Sequence, residues 1–375
     1  MKLKYWLKIL IFVVVIAVLT VGAAIFLHVP EARDVTGMYG FYLEEENSLD
    51  VVLIGPSPVY TGFYSPLAYE QEEFTSYAVS TGGLSGAMYP SAVRETLQTQ
   101  NPQLFVVDLS GFCDEDQKDS AAVRRWIDSI RNGENREKSI ADLVSEEDKD
   151  SYRTAFIKYH SNWTRIRGCF KTLIDKGDQK KRGYSVTKNF CAYTDTSDNA
   201  EITEEVYEFS EEGFASLEQF LSFLKEEEIE NVLFVRFPRR NTITDGERYT
   251  EGVQMILKAG YDILDYCTDA DDTKGVYTSD TFNTYNRHKE TVNLNPNQDF
   301  YDAEHVNIFG AEKLTKDLAA YISTLLQVKH SDAKAAETWE NAASFNTQVL
   351  MHAKQLTQAH AHKGLYTQRD FLKQP

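Results

Sequence analysis

The chain opens with an apolar run that no charge interrupts, from Ile9 to Leu27. At about 1.5 Å of rise per residue, a helix of that length spans roughly the 30 Å hydrocarbon core of a bilayer. Lys2, Lys4 and Lys8 precede the run, and Glu31 and Arg33 follow it. Lysines on the leading side predict a cytoplasmic N-terminus, with the rest of the chain outside. A cleaved signal peptide is the rival reading, with Val21-Gly22-Ala23-Ala24 as its small-residue stretch, but the run is longer than an h-region of about 7–15 residues. Residues 1–29 are therefore expected to be a cytoplasmic stub and single-pass membrane anchor, and 30–47 a juxtamembrane linker.

Beyond the linker, strand and helix patterns alternate. Val51-Val52-Leu53-Ile54 is wholly apolar, as in a strand covered on both faces. Further strands are expected at Tyr77–Val79, Leu104–Leu109, Val232–Val235 and Tyr261–Asp265. Helical spacing runs through Pro90–Thr99, Phe214–Glu227 and Gly246–Ala259, and through Ile308–Leu326. A long polar stretch, Ser120–Lys176, also reads as helical. The alternation predicts an α/β domain over 48–328 with a doubly wound, mainly parallel five-stranded sheet. Residues 329–375 break the pattern. They are polar and rich in Ala, Gln and His, and read as a helical or disordered tail.

Composition narrows the function classes. Apolar residues make up 42 % of the chain and aromatic ones 12 %, enough for a large packed core. The net charge of −18 repels phosphate backbones and argues against nucleic-acid binding. Cys113, Cys169, Cys191 and Cys267 match no zinc spacing; one or two disulfides or small buried residues are both open. His352, His360 and His362 in the tail lack recurring carboxylate or cysteine partners, so a solvated helix face is preferred to a metal site.

Two elements carry chemistry. Gly55-Pro56-Ser57-Pro58 follows the first strand, and ligands of open α/β sheets bind at the carboxyl ends of strands. Ser57 is thus a candidate nucleophile, although serine is also a common turn residue. Asp302 and His305 lie just before the last helix. A histidine can take the serine proton, and a carboxylate can orient the histidine. Helix capping by Asn307 or Asp302 is the structural alternative. Arg236, Arg239 and Arg240 follow the fourth strand and are candidates to attract an anionic substrate, or are ordinary surface arginines. Tyr159-His160-Ser161-Asn162-Trp163 is a candidate cleft lining, or a segment that packs Trp163 into the core.

The block Asp302-x-x-His305-x-Asn307-x-x-Gly310-Ala311-x-Lys313-x-Thr315 resembles the last block of SGNH/GDSL hydrolases. It is most similar to the membrane-anchored bacterial branch related to the teichoic-acid D-alanyl transfer proteins. The likeness covers roughly 48–328. It implies a Ser57–His305–Asp302 triad, with the N–H groups of Ser57 and of Gly82 or Gly83 in an oxyanion hole. Tyr159, His160, Arg236 and Arg239 are the candidate substrate contacts, and this chemistry requires no metal or organic cofactor. Two positions depart from the family pattern. Pro56 replaces the usual Asp or Ser, and Ser110-Gly111-Phe112 after the third strand offers no asparagine. Losing one oxyanion donor typically costs about 10²–10³ in turnover. The expected activity is ester hydrolysis or O-acyl transfer on an envelope polysaccharide or teichoic-acid-like polymer. The alternatives are an inactive scaffold that binds such a polymer or a membrane-bound acyltransferase, and an unrelated flavodoxin-like binding domain.

Overall fold

The structure is a computed structural model. It describes residues 2–27, 32–113, 120–154, 159–196, 201–267, 285–287, 292–327, 329, 333–361 and 364–372. The helix Lys2–Leu27 is long and apolar enough to cross a membrane, and the described side chains from Lys4 to Gly22 are all exposed.

The first three strands are β1 (Val51–Gly55), β2 (Ser76–Ser80) and β3 (Leu104–Asp108). Two short ones follow, β4 (Ala192–Tyr193) and β5 (Glu204–Tyr207). Then come β6 (Val232–Arg236), β7 (Thr242–Asp245) and β8 (Asp262–Asp265). The last two are β9 (Tyr285–Arg287) and β10 (Leu365–Tyr366). The central sheet has the order β2-β1-β3-β6-β8-β9, with every pair parallel. The five strands expected from the sequence are all in it. They form the mainly parallel five-stranded body of the sheet, and the three-residue β9 extends it at one edge. Such a short strand lacks the apolar run that marks the others.

Successive side chains of a strand point to opposite faces, so apolar runs feed two cores. Val52, Ile54, Tyr77, Val79, Phe105, Val107 and Phe234 enter one. There they meet helices such as Tyr89–Leu97 and Glu211–Glu226, through Ala92, Val93, Leu217 and Phe220. Val51, Leu53, Ala78, Val106, Leu233 and Leu264 enter the other, under the helix Ile308–Leu325. This is a doubly wound sheet. Its chain path reverses direction between β2 and β3 on either side of β1, so the carboxyl end of β1 lies at a topological switch point.

Two segments differ from expectation. Residues 32–41, expected as part of a linker, form a helix that buries Asp34, Met38 and Phe41. Residues 333–361 and 364–372, expected within a helical or disordered tail, pack into the body. Val349, Leu350, Ala353 and Tyr366 join the second core, Trp339 is fully buried, and β10 pairs antiparallel with β4. The buried Lys188 links the turn after the first segment to the second. Its ammonium bonds the Glu44 carboxylate at 2.7 and 2.9 Å and lies 4.2 Å from the Trp339 ring. Low apolar content hid the tail's packing, because its few large side chains are spread among alanines and glutamines. None of the four cysteines forms a disulfide.

Candidate active site

The first functional element grows directly out of β1. Gly55 ends the strand where the backbone passes Asp108 of β3. A Cβ at Gly55 would stand 2.6 Å from Asp108 Cβ and from Val59 Cγ2, so any side chain there would push β1 and β3 apart. Ser57 is the first residue of a short helix, Ser57–Gly62. Pro58 lies in its first turn, where a missing N–H breaks no helical bond. The Ser57 N–H belongs to that same turn and has no intrahelical acceptor. The Ser80 hydroxyl, at the end of β2, donates to the Gly55 carbonyl and to Pro56 O at 2.8 Å, pinning the turn.

The second element is a loop closed on itself. An antiparallel bridge pairs Phe300 with Val306, and the Tyr301 N–H donates to the His305 carbonyl at 2.9 Å. Inside the loop, Asp302 Oδ1 accepts the backbone N–H groups of Glu304 and His305, each at 2.8 Å. The same carboxylate faces His305 Nδ1 at 2.9 and 3.0 Å. His305 Nε2 lies 2.7 Å from Ser57 Oγ. A carboxylate only accepts, so the proton sits on Nδ1 and Nε2 offers its lone pair to the serine hydroxyl. Partial burial pushes the Asp302 carboxyl up. The hydrogen bond and charge of His305, with the N–H groups of Glu304 and His305, outweigh that and hold it below its ordinary value.

The remaining residues of the block fasten this loop over Ser57. Asn307 caps the helix Ile308–Leu325, its Oδ1 accepting from Phe309 N and Gly310 N, while its Nδ2 donates to Gln298 O and Phe300 O. Capping therefore falls to Asn307, and Asp302 is left for the histidine. A Cβ at Gly310 would collide with the Asp299 carbonyl. Lys313 Nζ reaches Asp299 Oδ2 at 2.7 Å. Thr315 Oγ1 accepts from Tyr64 N at 2.9 Å and donates to Gly62 O at 3.3 Å, just past the helix that starts at Ser57. The two halves of the triad are thus joined by side-chain to backbone bonds, not by packing alone.

Several residues at the site were not expected. Tyr60, one turn after Ser57, carries the Arg33 guanidinium over its ring at 3.5 Å. Tyr193 stacks flat on Tyr301 at 4.0 Å and tilts against His305 at 5.2 Å. Arg125 lies against the glycine turn, its guanidinium carbon 3.8 Å from where a Gly82 Cβ would stand. Tyr60 was legible as a helix neighbour of Ser57. Arg33, Arg125 and Tyr193 carry no local signal; only the chain path brings them in.

Gly82 and Gly83 form the turn after β2, beside the end of β1. The Gly82 N–H already points at Asp34 Oδ1, 3.4 Å away, and Asp34 is paired with Arg33. An oxyanion there would compete with a carboxylate. Beneath the site, Asp108 Oδ2 accepts from the Ser110 hydroxyl and Oδ1 from its N–H. Burial pushes this carboxyl up to about 6, against the opposing bonds from Ser110 and the charge of Arg239.

Of the five candidate substrate contacts, four are buried or held in ion pairs and one is exposed. Arg236 is fully buried, bonded to Asp265 through Nε at 2.7 Å and to Asp245 at 2.5 Å, so it holds β6 to β8 and is not open to substrate. Arg239 pairs with Glu304 at 2.6 Å and Glu205 at 3.5 Å, which braces the histidine loop from outside. Arg240 is buried on backbone carbonyls of Pro296 and Glu201. Tyr159 is buried with its hydroxyl on Asp128, and His160 is exposed on the segment that meets the N-terminal helix. A terminal arginine on an apolar strand reads alike whether it faces solvent or a buried carboxylate.

Among the described residues, no three His, Cys, Asp or Glu side chains gather as a metal site. His352 bonds the Tyr366 hydroxyl and His360 faces Asp195, while His362 lies outside the described residues. Comparison with protein-family models and with curated proteins finds no match.

Proposed function

We propose that this chain is a membrane-anchored serine ester hydrolase or O-acyltransferase of the SGNH type, working outside the cytoplasmic membrane. The observation that carries the reading is the continuous line from Ser57 Oγ through His305 to Asp302, with contacts of 2.7 and 2.9 Å. In the first half-reaction, Ser57 Oγ bonds to the ester carbonyl carbon as its proton moves to His305 Nε2. The carbonyl oxygen becomes an oxyanion near the N–H groups of Ser57 and the Gly82-Gly83 turn. Collapse breaks the ester C–O bond, and His305 returns the proton to the departing alkoxide. In the second, water or a polymer hydroxyl gives its proton to Nε2 and bonds the acyl carbon; the Ser57 Oγ–acyl bond then breaks, and Oγ takes the proton back from Nε2. Asp302 stabilises the imidazolium in both. The lysines before the span support a cytoplasmic N-terminus. The substrate class, acyl esters of an envelope polysaccharide or teichoic-acid-like polymer, rests on the family resemblance. Arg125 beside the glycine turn suits an anionic group in such a polymer.

A second reading has its own observation. The carboxylate of Asp34 at the Gly82 N–H, and the lack of an asparagine after β3, favour an inactive scaffold that binds the polymer or a membrane-bound acyltransferase. A fluorophosphonate probe applied to the detergent-solubilised full chain separates the two. Labelling that disappears in Ser57→Ala and in His305→Ala is the outcome expected. An unlabelled but folded wild-type chain that also leaves p-nitrophenyl acetate intact would establish the scaffold instead.

A further inference from the structure

The helix Ile166–Arg182 wears its amphipathicity inside out. Its buried face carries Cys169, Thr172 and Gln179, small or polar residues. Its outer face, with the 3₁₀ turn His160–Arg165 before it, exposes Trp163, Ile166, Phe170, Leu173 and Ile174. Trp163, Phe170 and Ile174 are 65, 55 and 61 % exposed. Their spacing of three, four and seven residues puts all five on one stripe. Single exposed apolar residues need no explanation, but a contiguous stripe of large ones marks an interaction surface.

The stripe begins where the candidate membrane span ends. Asn162 Nδ2 donates at 2.9 Å to the carbonyl of Leu27, the last residue of the span, satisfying one of the acceptors that a helix end leaves open. Phe170 meets Phe26 edge to face at 5.0 Å. Charge follows the same geography. Residues 165–182 hold seven basic side chains against two acidic ones, in a chain whose net charge is −18. Arg167 and Lys171, both exposed, flank the stripe, where long stems can lie along apolar surface and lift their charges to the headgroups. Tryptophan at this level is the residue that bilayer interfaces favour.

We propose that the turn His160–Arg165 and the helix Ile166–Arg182 form an interfacial membrane-binding element. It seats this stripe among the headgroups and upper acyl chains of the bilayer that Lys2–Leu27 crosses, with its basic flank on anionic lipid. The proposal rests on the reading of Lys2–Leu27 as a span. Anionic lipid is favoured over a protein partner because the stripe continues the lipid-facing surface of that helix and its rim is cationic. The inner face of the element packs on the helix Ala32–Phe41, where Gln179 donates to Thr36 O at 3.3 Å. That helix carries Arg33 and Asp34 to the rim of the triad. The catalytic cleft is therefore held at two points over the membrane and not swung from one tether, and an ester substrate must come to it close to the bilayer surface.

Tryptophan fluorescence of the full chain tests this. Trp126 and Trp339 are fully buried, so Trp6 and Trp163 are the exposed pair among the four. Trp6→Phe, Trp163→Phe and the double variant are reconstituted in phosphatidylcholine–phosphatidylglycerol vesicles, with or without brominated phosphatidylcholine. The expected result for Trp6→Phe is a blue-shifted Trp163 emission that bromolipid quenches and aqueous acrylamide does not, with bromolipid quenching lost in the double variant. Emission quenched by acrylamide alone would place the stripe in water and overturn the proposal. Emission shielded from both quenchers would place it against protein, with the same consequence. The Trp163→Phe chain, which keeps Trp6, reports the span separately. If bromolipid quenches that chain and not Trp6→Phe, the anchor stands and the interfacial element falls. If it quenches neither, the span reading has failed and takes the proposal with it.

Discussion

Asp302 does two jobs with one carboxylate, accepting two backbone N–H groups and facing His305 Nδ1. Asp302→Asn would keep the turn but present an amide N–H or a poor acceptor to the imidazole and unsettle its tautomer. Turnover of an active ester should fall by about 10³–10⁴ with little change in KM, read by steady-state kinetics. Asp108 gives a pH prediction of the opposite kind. Burial raises its folded value from 3.8 to about 6. Between those values the folded chain holds a proton that the unfolded chain has released. The favourable contribution is therefore complete below pH 4 and lost as pH rises through 6, on the order of 3 kcal/mol. Asp108→Asn does not titrate and keeps an acceptor for the Ser110 N–H. Its melting temperature should gain on the wild type as pH goes from 4 to 8, and a pH-independent gap between the two melting curves would contradict this assignment. Ser57, Asp302 and His305 were all legible in the sequence, because a serine after an apolar strand and a D-x-x-H block before a helix are local patterns. Arg236 was not, since its two carboxylate partners come from β7 and β8.

At the level of elements, the strands and long helices follow from apolar runs and helical spacing, and their order from the alternation of the two. The expected Gly246–Ala259 helix is Glu247–Lys258, and the last strong helix is Ile308–Leu325. What failed was the reading of low-contrast segments. Residues 32–41, 333–361 and 364–372 look like linker and tail, yet each buries large side chains against the body. Trp339, Val349, Leu350, Tyr366 and Phe371 are all buried. At about 1.5–3 kcal/mol for each large side chain exposed, their loss would rival a whole domain's stability of about 5–15 kcal/mol. A chain ending at 328 should accordingly lose its cooperative unfolding transition and be recovered in aggregates. A truncated chain that melted like the full one in circular dichroism would show that 329–375 is dispensable after all.

For the whole molecule, the apolar N-terminal run, the acidic balance and the α/β alternation are properties of composition and period, so they can be read without coordinates. The two halves of the triad can also be read, each within a dozen residues, because each is a local motif. Their meeting cannot, since 248 positions separate Ser57 from His305 and only the order β2-β1-β3 puts the serine turn at the switch point under the helix Ile308–Leu325. The same limit hid Arg33, Arg125 and Tyr193, and hid the outward stripe of Trp163 to Ile174, whose spacing is that of an ordinary core-facing helix. Periodicity records that a helix has an apolar side. Which way that side turns depends on what the other face packs against, and that is set by contacts between residues far apart in the chain.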